Sequence, residues 1–320
     1  MQLLIALLIT AHIAQGWKSQ FARINKTKRL AVKVKHKTLD LYSKEEWTAM
    51  LKSLQPKLDG PVVKIINDSM SKESDDIELG MRIIKGRSSS RGQNPYQVGI
   101  LIGEDSFCGG ALISGNFVIT AAHCLEGNTF TVILGAQNRS GFETGRMTIE
   151  TSRIIMHPKW NGDLVVNDLA LLPLPYPIPE SNFIKRIRLP KRSSATASLD
   201  NNNVTVCGWG KTSDEDAAPA SNLACARTRL ISNAECTKLY GSASFKSTNL
   251  CGRGLNQQST CSGDSGGPVV MTERDKLPTL IGIVSYGAAA SCEDGYPDVF
   301  TRVSSYLSWI TNVTGIAVRR

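Results

Sequence analysis

The chain is predicted to be all-β from three observations. Short apolar or alternating runs recur from Pro95 onward, turn residues separate them, and they fall into two successive series. The first series is 98–102, 111–113, 117–120, 130–134, 149–156 and 169–174; the second is 204–207, 224–231, 268–271, 280–286 and 299–303. β-Branched and aromatic side chains suit a pleated, half-buried surface, and alternation turns one face toward a core. Residues 304–313 are expected to form a short amphipathic helix, with Ser304 as N-cap and Trp309 on its inner face.

Upstream of these series the composition changes. Residues 1–16 have an apolar core and end in Ala14-Gln15-Gly16, the pattern of a secretory signal peptide cleaved before Trp17. That run is too short to span a bilayer and no other candidate span occurs, so secretion and no membrane attachment are expected. Residues 17–82 hold no cysteine and read as a propeptide. Within them, 40–58 has helical spacing with Leu41, Trp47, Leu51 and Leu54 on one stripe, and 73–78 is an acidic approach to a cleavage site.

The formal charge of +9 is unevenly distributed. Residues 17–82 carry 14 Lys and Arg against 9 Asp and Glu, whereas 83–320 carry 23 against 19. The basic run 23–37 alternates with Ile, Leu, Val and Thr; it can meet an acidic surface, and the favoured reading is a solvated face of a removable segment. No nucleic-acid partner is expected.

The densest chemical signal is Cys261-Ser262-Gly263-Asp264-Ser265-Gly266-Gly267-Pro268. Glycine lets backbone approach a ligand closely. The N–H groups of Gly263 and Ser265 can therefore converge where an oxyanion forms, which suits acyl transfer. Serine at neutral pH needs a base and the base an orienting group. Of four histidines, His12 lies in the leader, His36 in the lysine-rich segment and His157 before a proline; His123 ends the run Phe117 to Thr120. Asp168 opens an apolar strand, where an unpaired carboxylate is costly.

Thr120-Ala121-Ala122-His123-Cys124, Asp168-Leu169-Ala170-Leu171-Leu172 and Gly263 to Pro268, in the order His, Asp, Ser, resemble the three signature motifs of the chymotrypsin-fold (trypsin-like) serine proteases. Trp209 between two glycines, Ser285-Tyr286-Gly287 and Trp309 add to the resemblance, which covers 83–320. It implies two six-stranded antiparallel barrels, with His123, Asp168 and Ser265 in the cleft between them, and an endopeptidase that needs no cofactor. Ser285 is expected to support Asp168, and Tyr286 and Gly287 to align the substrate backbone. Cleavage after Arg82 is implied to free Ile83, whose new ammonium pairs with Asp264. An activating protease at Arg82, protein or peptide substrates and protein inhibitors are the expected partners.

All eight cysteines lie between Cys108 and Cys292, an even set that reads as disulfides in a secreted chain, although spacing alone leaves the pairing open. The resemblance implies Cys108 with Cys124, Cys236 with Cys251, and Cys261 with Cys292. Cys207 and Cys225 flank a polar loop between two strand-like runs, and opposed positions of a hairpin can bridge. Sequons occur at Asn25, Asn67, Asn138, Asn203 and Asn312.

Specificity is read from three positions. Ser259 stands where trypsins carry a pocket aspartate, which points to a chymotrypsin-like preference for Phe, Tyr or Leu. Asp298 stands where glycine is usual, and Gly287 leaves the pocket mouth open. This combination resembles the arthropod chymotrypsin-like branch that includes the crab collagenases (brachyurins). Two readings stand: broad P1 acceptance including Lys or Arg, and a narrower apolar preference. A narrow regulatory protease in a cascade and a noncatalytic binding homologue are the competing function classes.

Overall fold

The structure of this chain is a computed structural model that describes Ile84 and residues 86–103, 106–127, 129–287 and 291–319, all within the compact unit Leu79–Arg320. The expected signal peptide, the propeptide, Arg82, Ile83 and the sequons at Asn25 and Asn67 lie outside the described residues.

Two antiparallel sheets dominate. One contains β2 (Gln97–Ile102), β3 (Ser106–Ser114), β4 (Phe117–Thr120), β5 (Phe130–Leu134), β6 (Met147–Thr151), β7 (Ile155–Met156) and β8 (Ala170–Pro173), in the order β6-β5-β2-β3-β4-β8-β7. The run predicted as one strand, 149–156, is interrupted. Its first part pairs with β5 and its second with β8, so a segment broken only at 152–154 joins the two sides of the sheet and curls it into a barrel. At the break, Thr151 Oγ1 donates to the Pro173 carbonyl at 3.0 Å.

The other sheet contains β1 (Arg87–Ser88), β9 (Asn203–Gly208), β10 (Ala224–Ile231), β11 (Asn249–Gly254), β12 (Pro268–Thr272), β13 (Pro278–Tyr286) and β14 (Asp298–Arg302). Its order is β1-β10-β11-β14-β13-β12-β9, and an additional β9–β10 pairing closes it. Each sheet thus counts seven strands rather than the expected six, one because a strand is broken and the other because the short β1 ribbon joins β10.

The first barrel is filled by Val98, Ile100, Phe130, Val132, Leu134, Leu169 and Leu171, and the C-terminal helix adds Leu307 and Ile310 to the same core. Val204, Val206, Leu230, Val269 and Phe300 form a core of the second. Full burial of each such side chain contributes about 1.5–3 kcal/mol.

Helix α1 (Asn233–Ser244) was not signalled by the sequence, and α2 (Leu307–Thr314) begins later than predicted. Ser304 is not its N-cap. A 3-10 turn, Val303–Tyr306, precedes α2, and the Ser304 hydroxyl instead accepts a hydrogen bond from Arg302 Nε at 3.0 Å. Gly315, at φ 71°, ends the helix in the left-handed region with its N–H on the Thr311 carbonyl. Trp309 is half-buried, edge-on to His157 with ring centroids 5.1 Å apart.

Four disulfides are present: Cys108–Cys124, Cys207–Cys225, Cys236–Cys251 and Cys261–Cys292. Cys207 and Cys225 are directly opposed in the β9–β10 register, with Cα atoms 4.1 Å apart.

Candidate active site

Strand pairing brings the histidine to the aspartate. Thr120 at the end of β4 faces Ala170 at the start of β8, so the residues just beyond these ends, His123 and Asp168, meet. His123 Nδ1 and Asp168 Oδ2 are 2.8 Å apart, and the His123 backbone N–H donates to Asp168 Oδ1 at 3.0 Å. The Ser285 hydroxyl donates to Asp168 Oδ2 at 2.6 Å, and Thr301 Oγ1 donates to the Asp168 carbonyl at 2.8 Å. Asp168 is buried. Burial disfavours the charged imidazole of His123, but the hydrogen bond and charge of Asp168, with a smaller contribution from Glu126, outweigh it and raise the pKa above the ordinary histidine value.

The serine loop is pinned to both sheets. The Gly109 N–H of β3 donates to the Ser265 carbonyl at 2.7 Å, while the Gly266 N–H donates to the Val284 carbonyl of β13 at 2.8 Å. A Cβ at Gly109 would lie 2.7 Å from the Gly267 Cα, so this approach requires glycine. Gly263 (φ 101°) and Gly266 (φ 76°) hold conformations that side-chain-bearing residues rarely adopt. Among the described residues, the N–H groups of Gly263 and Ser265 donate to no protein acceptor. No hydrogen bond joins Ser265 Oγ to His123; such bonds commonly close only with substrate in place.

Asp264, beside the serine, is completely buried. Its carboxylate accepts the Gly210 N–H at 2.8 Å and the Cys261 N–H at 3.0 Å. A Cβ at Gly208 or Gly210 would come within 2.1 or 2.3 Å of its oxygens, so both glycines make room for it. No cation faces it among the described residues. Burial therefore pushes its pKa up to about 7; the Cys261 and Gly210 amides offset part of this, and the charge of Asp298 adds to it. Ile84, two residues beyond Arg82, is buried and its carbonyl accepts the Ser259 N–H at 3.4 Å.

A cavity of about 350 Å³ joins the remaining predicted residues: Ser265, Ser259, Ser285, Tyr286, Gly287 and Asp298 all line it. Ser259 and Asp298 are 6% and 3% exposed, so they lie deep in its wall. Asp298 Oδ1 accepts from the Ser259 hydroxyl at 3.4 Å and Oδ2 from the Thr260 N–H at 3.3 Å, both long contacts. Burial pushes the Asp298 pKa up to about 6, with Thr260 and Ser259 opposing the rise. A Cβ at Gly287 would sit 3.4 Å from Asp298 Oδ1, so any larger side chain there would stand over the carboxylate. The Tyr286 ring packs edge-on against Tyr240 at 5.5 Å, and the Tyr240 hydroxyl reaches the Pro297 carbonyl, bracing the strand that carries Asp298.

His123 and Asp168 are outside this cavity's lining; Ser285 connects the two regions, touching Asp168 while lining the cavity. Thr260 and Thr301 act in the site without having been singled out in the sequence. A threonine next to a proposed pocket residue, as Thr260 is to Ser259, was the only available signal. Two groupings, Cys108 with His123 and Cys124, and Asp214 with Cys261 and Cys292, bring metal-type ligands together, but their sulfurs are in disulfides and offer no thiolate.

The Trypsin family profile matches residues 83–310. This chain belongs to the trypsin family. It is 37% identical over 223 residues to brachyurin of Leptuca pugilator, covering 69% of this chain and 94% of that one. Identity to human kallikrein-7 is 35% over 233 residues, covering 73% and 87%. Identity to the collagenase of Hypoderma lineatum is 34% over 239 residues, covering 73% and 88%. A solved structure of HL collagenase superposes with a TM-score of 0.66 at 34% identity, covering 73% of this chain and all of that one. The chain is a serine endopeptidase with protein or peptide substrates, of the chymotrypsin fold. Among the described residues no helix is long and apolar enough to cross a membrane.

Proposed function

We propose that this trypsin-family chain is a secreted endopeptidase made as a zymogen, in which 1–16 is a signal peptide, 17–82 a propeptide and 83–320 the protease. His123 takes the proton of Ser265 as Oγ attacks the scissile carbonyl, then delivers it to the leaving amine; water repeats the sequence on the acyl-enzyme. Asp168 fixes the imidazole tautomer and stabilises its charged form, and Ser285 positions Asp168. Gly263 and Ser265 hold the oxyanion through their N–H groups, each donor contributing about 3–4 kcal/mol in the transition state.

One observation carries this reading: a histidine held by a buried, multiply hydrogen-bonded Asp168 stands in a fold whose serine loop leaves two backbone donors uncommitted. A serine-directed phosphonylating reagent tests it. The cleaved protein should gain one adduct on the peptide containing Ser265 and lose activity in proportion; labelling elsewhere, or undiminished activity after complete labelling, would contradict it.

Activation follows from Asp264. A buried carboxylate without a cation is expensive, of order 3–5 kcal/mol when one member of a buried pair is missing. Cleavage after Arg82 would supply the Ile83 ammonium as that member.

The P1 pocket is assigned broad acceptance that includes Lys and Arg. What supports this is the Asp298 carboxylate, which lines the same cavity as Ser265 and, although buried, meets only the neutral groups of Ser259 and Thr260 and no cation among the described residues. A cationic side chain would complete it. Ser259 leaves room for apolar side chains. The relatives named a brachyurin and a collagenase share this family. A cascade protease of narrow specificity is the second reading, and protein-substrate breadth separates the two.

A further inference from the structure

The outer face of the second barrel carries a stripe of arginine that the protease chemistry does not use. In β10 the residues alternate, with Ala224, Ala226, Thr228 and Leu230 buried and Arg227 and Arg229 exposed. Directly opposed residues of antiparallel strands share a face. Arg229 is opposed to Arg253 of β11, and Arg87 of β1 is opposed to Cys225, the residue two before Arg227 on the same face. Arg87, Arg227, Arg229 and Arg253 therefore project from one exposed surface. Neighbouring guanidiniums root about 5–7 Å apart, from the spacing of strands and of alternate residues.

The charges in this stripe are poorly compensated. Arg253 donates to Glu235 at 3.1 Å and to the Gly295 carbonyl at 2.8 Å. Arg87, Arg227 and Arg229 make no ion pair or side-chain hydrogen bond with any described residue. Like charges set directly opposite one another, as in Arg229 and Arg253, destabilise a sheet. The concentration is local, because residues 83–320 as a whole carry 23 basic against 19 acidic side chains.

The rest of the face narrows the partner. Its other members are Asn203 and Thr205 of β9, opposed to Arg229 and Arg227, and Gln258, whose Oε1 accepts the Arg227 N–H at 2.7 Å. None is apolar. A protein partner would be expected to use buried aromatic or aliphatic anchors, and single-stranded nucleic acid needs aromatic platforms for its bases. A flat, hydrophilic surface of guanidiniums at a short repeat instead matches a linear chain of sulfates, each able to take two parallel N–H bonds from one arginine. We propose that this face is an exosite for a sulfated polysaccharide, which would hold the protease on a polyanionic matrix independently of the substrate cleft.

The test measures binding of the full chain to immobilised heparin as a function of salt, beside an Arg87→Thr/Arg227→Thr/Arg229→Thr variant. Threonine keeps strand propensity. A Lys33→Ser/Lys35→Ser/Lys37→Ser variant removes the same charge from the basic N-terminal run. The expected result is at least about a tenfold affinity loss in the arginine variant, with the salt slope shallower by about one per arginine. Cleavage of a small peptide after activation should be unchanged, which shows that the variant is folded. Four results would overturn the proposal: no binding by the parent chain near physiological salt, equal binding by the arginine variant, an equal loss in the lysine variant, or tighter binding to single-stranded DNA or an acidic peptide than to heparin.

Discussion

Two buried aspartates bracket the site and are treated in opposite ways. Asp168 is supplied from within the chain: the His123 ring, the His123 amide and the Ser285 hydroxyl meet its carboxylate at 2.6–3.0 Å, and Thr301 fixes its backbone. Asp298 is also buried, but its partners are all neutral: the Ser259 hydroxyl at 3.4 Å, the Thr260 N–H at 3.3 Å and the Thr260 side chain, with no cation among the described residues. A carboxylate whose lone pairs are filled by the fold can only orient its neighbours. One with neutral partners alone retains capacity for a cationic ligand. The difference separates a carboxylate proposed to orient His123 from one proposed to meet the substrate.

Breaking the first arrangement should have the largest effect. Asp168→Asn is expected to lower kcat by about 10⁴-fold with a far smaller change in KM, because the imidazole loses its tautomer and its charge partner; steady-state kinetics on one peptide measures this. Asp264 comes next. In the uncut chain its pKa lies near 7, above the ordinary carboxylate range. The stability it contributes when protonated is therefore lost progressively as pH rises from about 4 to about 7. Thermal unfolding of the uncut chain should fall over that interval, and cleavage at Arg82 or Asp264→Asn should flatten the decline.

A smaller loss is expected when Ser285 is changed to Ala. Removing one charge-assisted hydrogen bond from a buried carboxylate is worth about 1.5–3 kcal/mol, so kcat should fall roughly ten- to hundredfold as Asp168 loses one of the groups that orient it. The mildest change is expected at Asp298, the acid proposed to meet a P1 cation. Asp298→Asn should reduce kcat/KM for Lys and Arg at P1 by about tenfold, leaving Phe and Leu nearly unchanged. If both substrate classes fall together, Asp298 is structural.

Much of this arrangement was legible in the chain. Strands 117–120, 130–134 and 224–231 match their predicted limits because their patterns are strongly apolar or strictly alternating. The strand Asn249–Gly254 was not visible, since its interior includes Gly252 and Arg253 and it ends on Gly254. Its fit is set from outside: a Cβ at Gly252 would meet Thr228 at 2.5 Å and Phe300 at 2.8 Å. Helix Asn233–Ser244 gave no signal because Cys236 is its one buried residue and Leu239 faces solvent. The chain also hid the break at 152–154, where hydrogen bonding to a different strand overrides an apparently continuous run. In the site, His123, Asp168 and Ser265 were marked by motifs, whereas the supports from Thr260 and Thr301 depend on distant strands coming together.

The central claim is that Asp298 serves the substrate rather than the fold, and its titration offers the most direct test. Activated protein with Ile83 as its N-terminus would be given a peptide library varied only at P1, between pH 5 and 8. Dividing the rate on Lys and Arg by the rate on Phe and Leu cancels the common dependence on His123. With the Asp298 pKa near 6, this ratio should rise as pH increases through about 6, and Asp298→Asn should make it flat. A ratio that is flat in the parent enzyme, or a rise that persists in the variant, would contradict the claim and leave Ser259 in control of an apolar pocket.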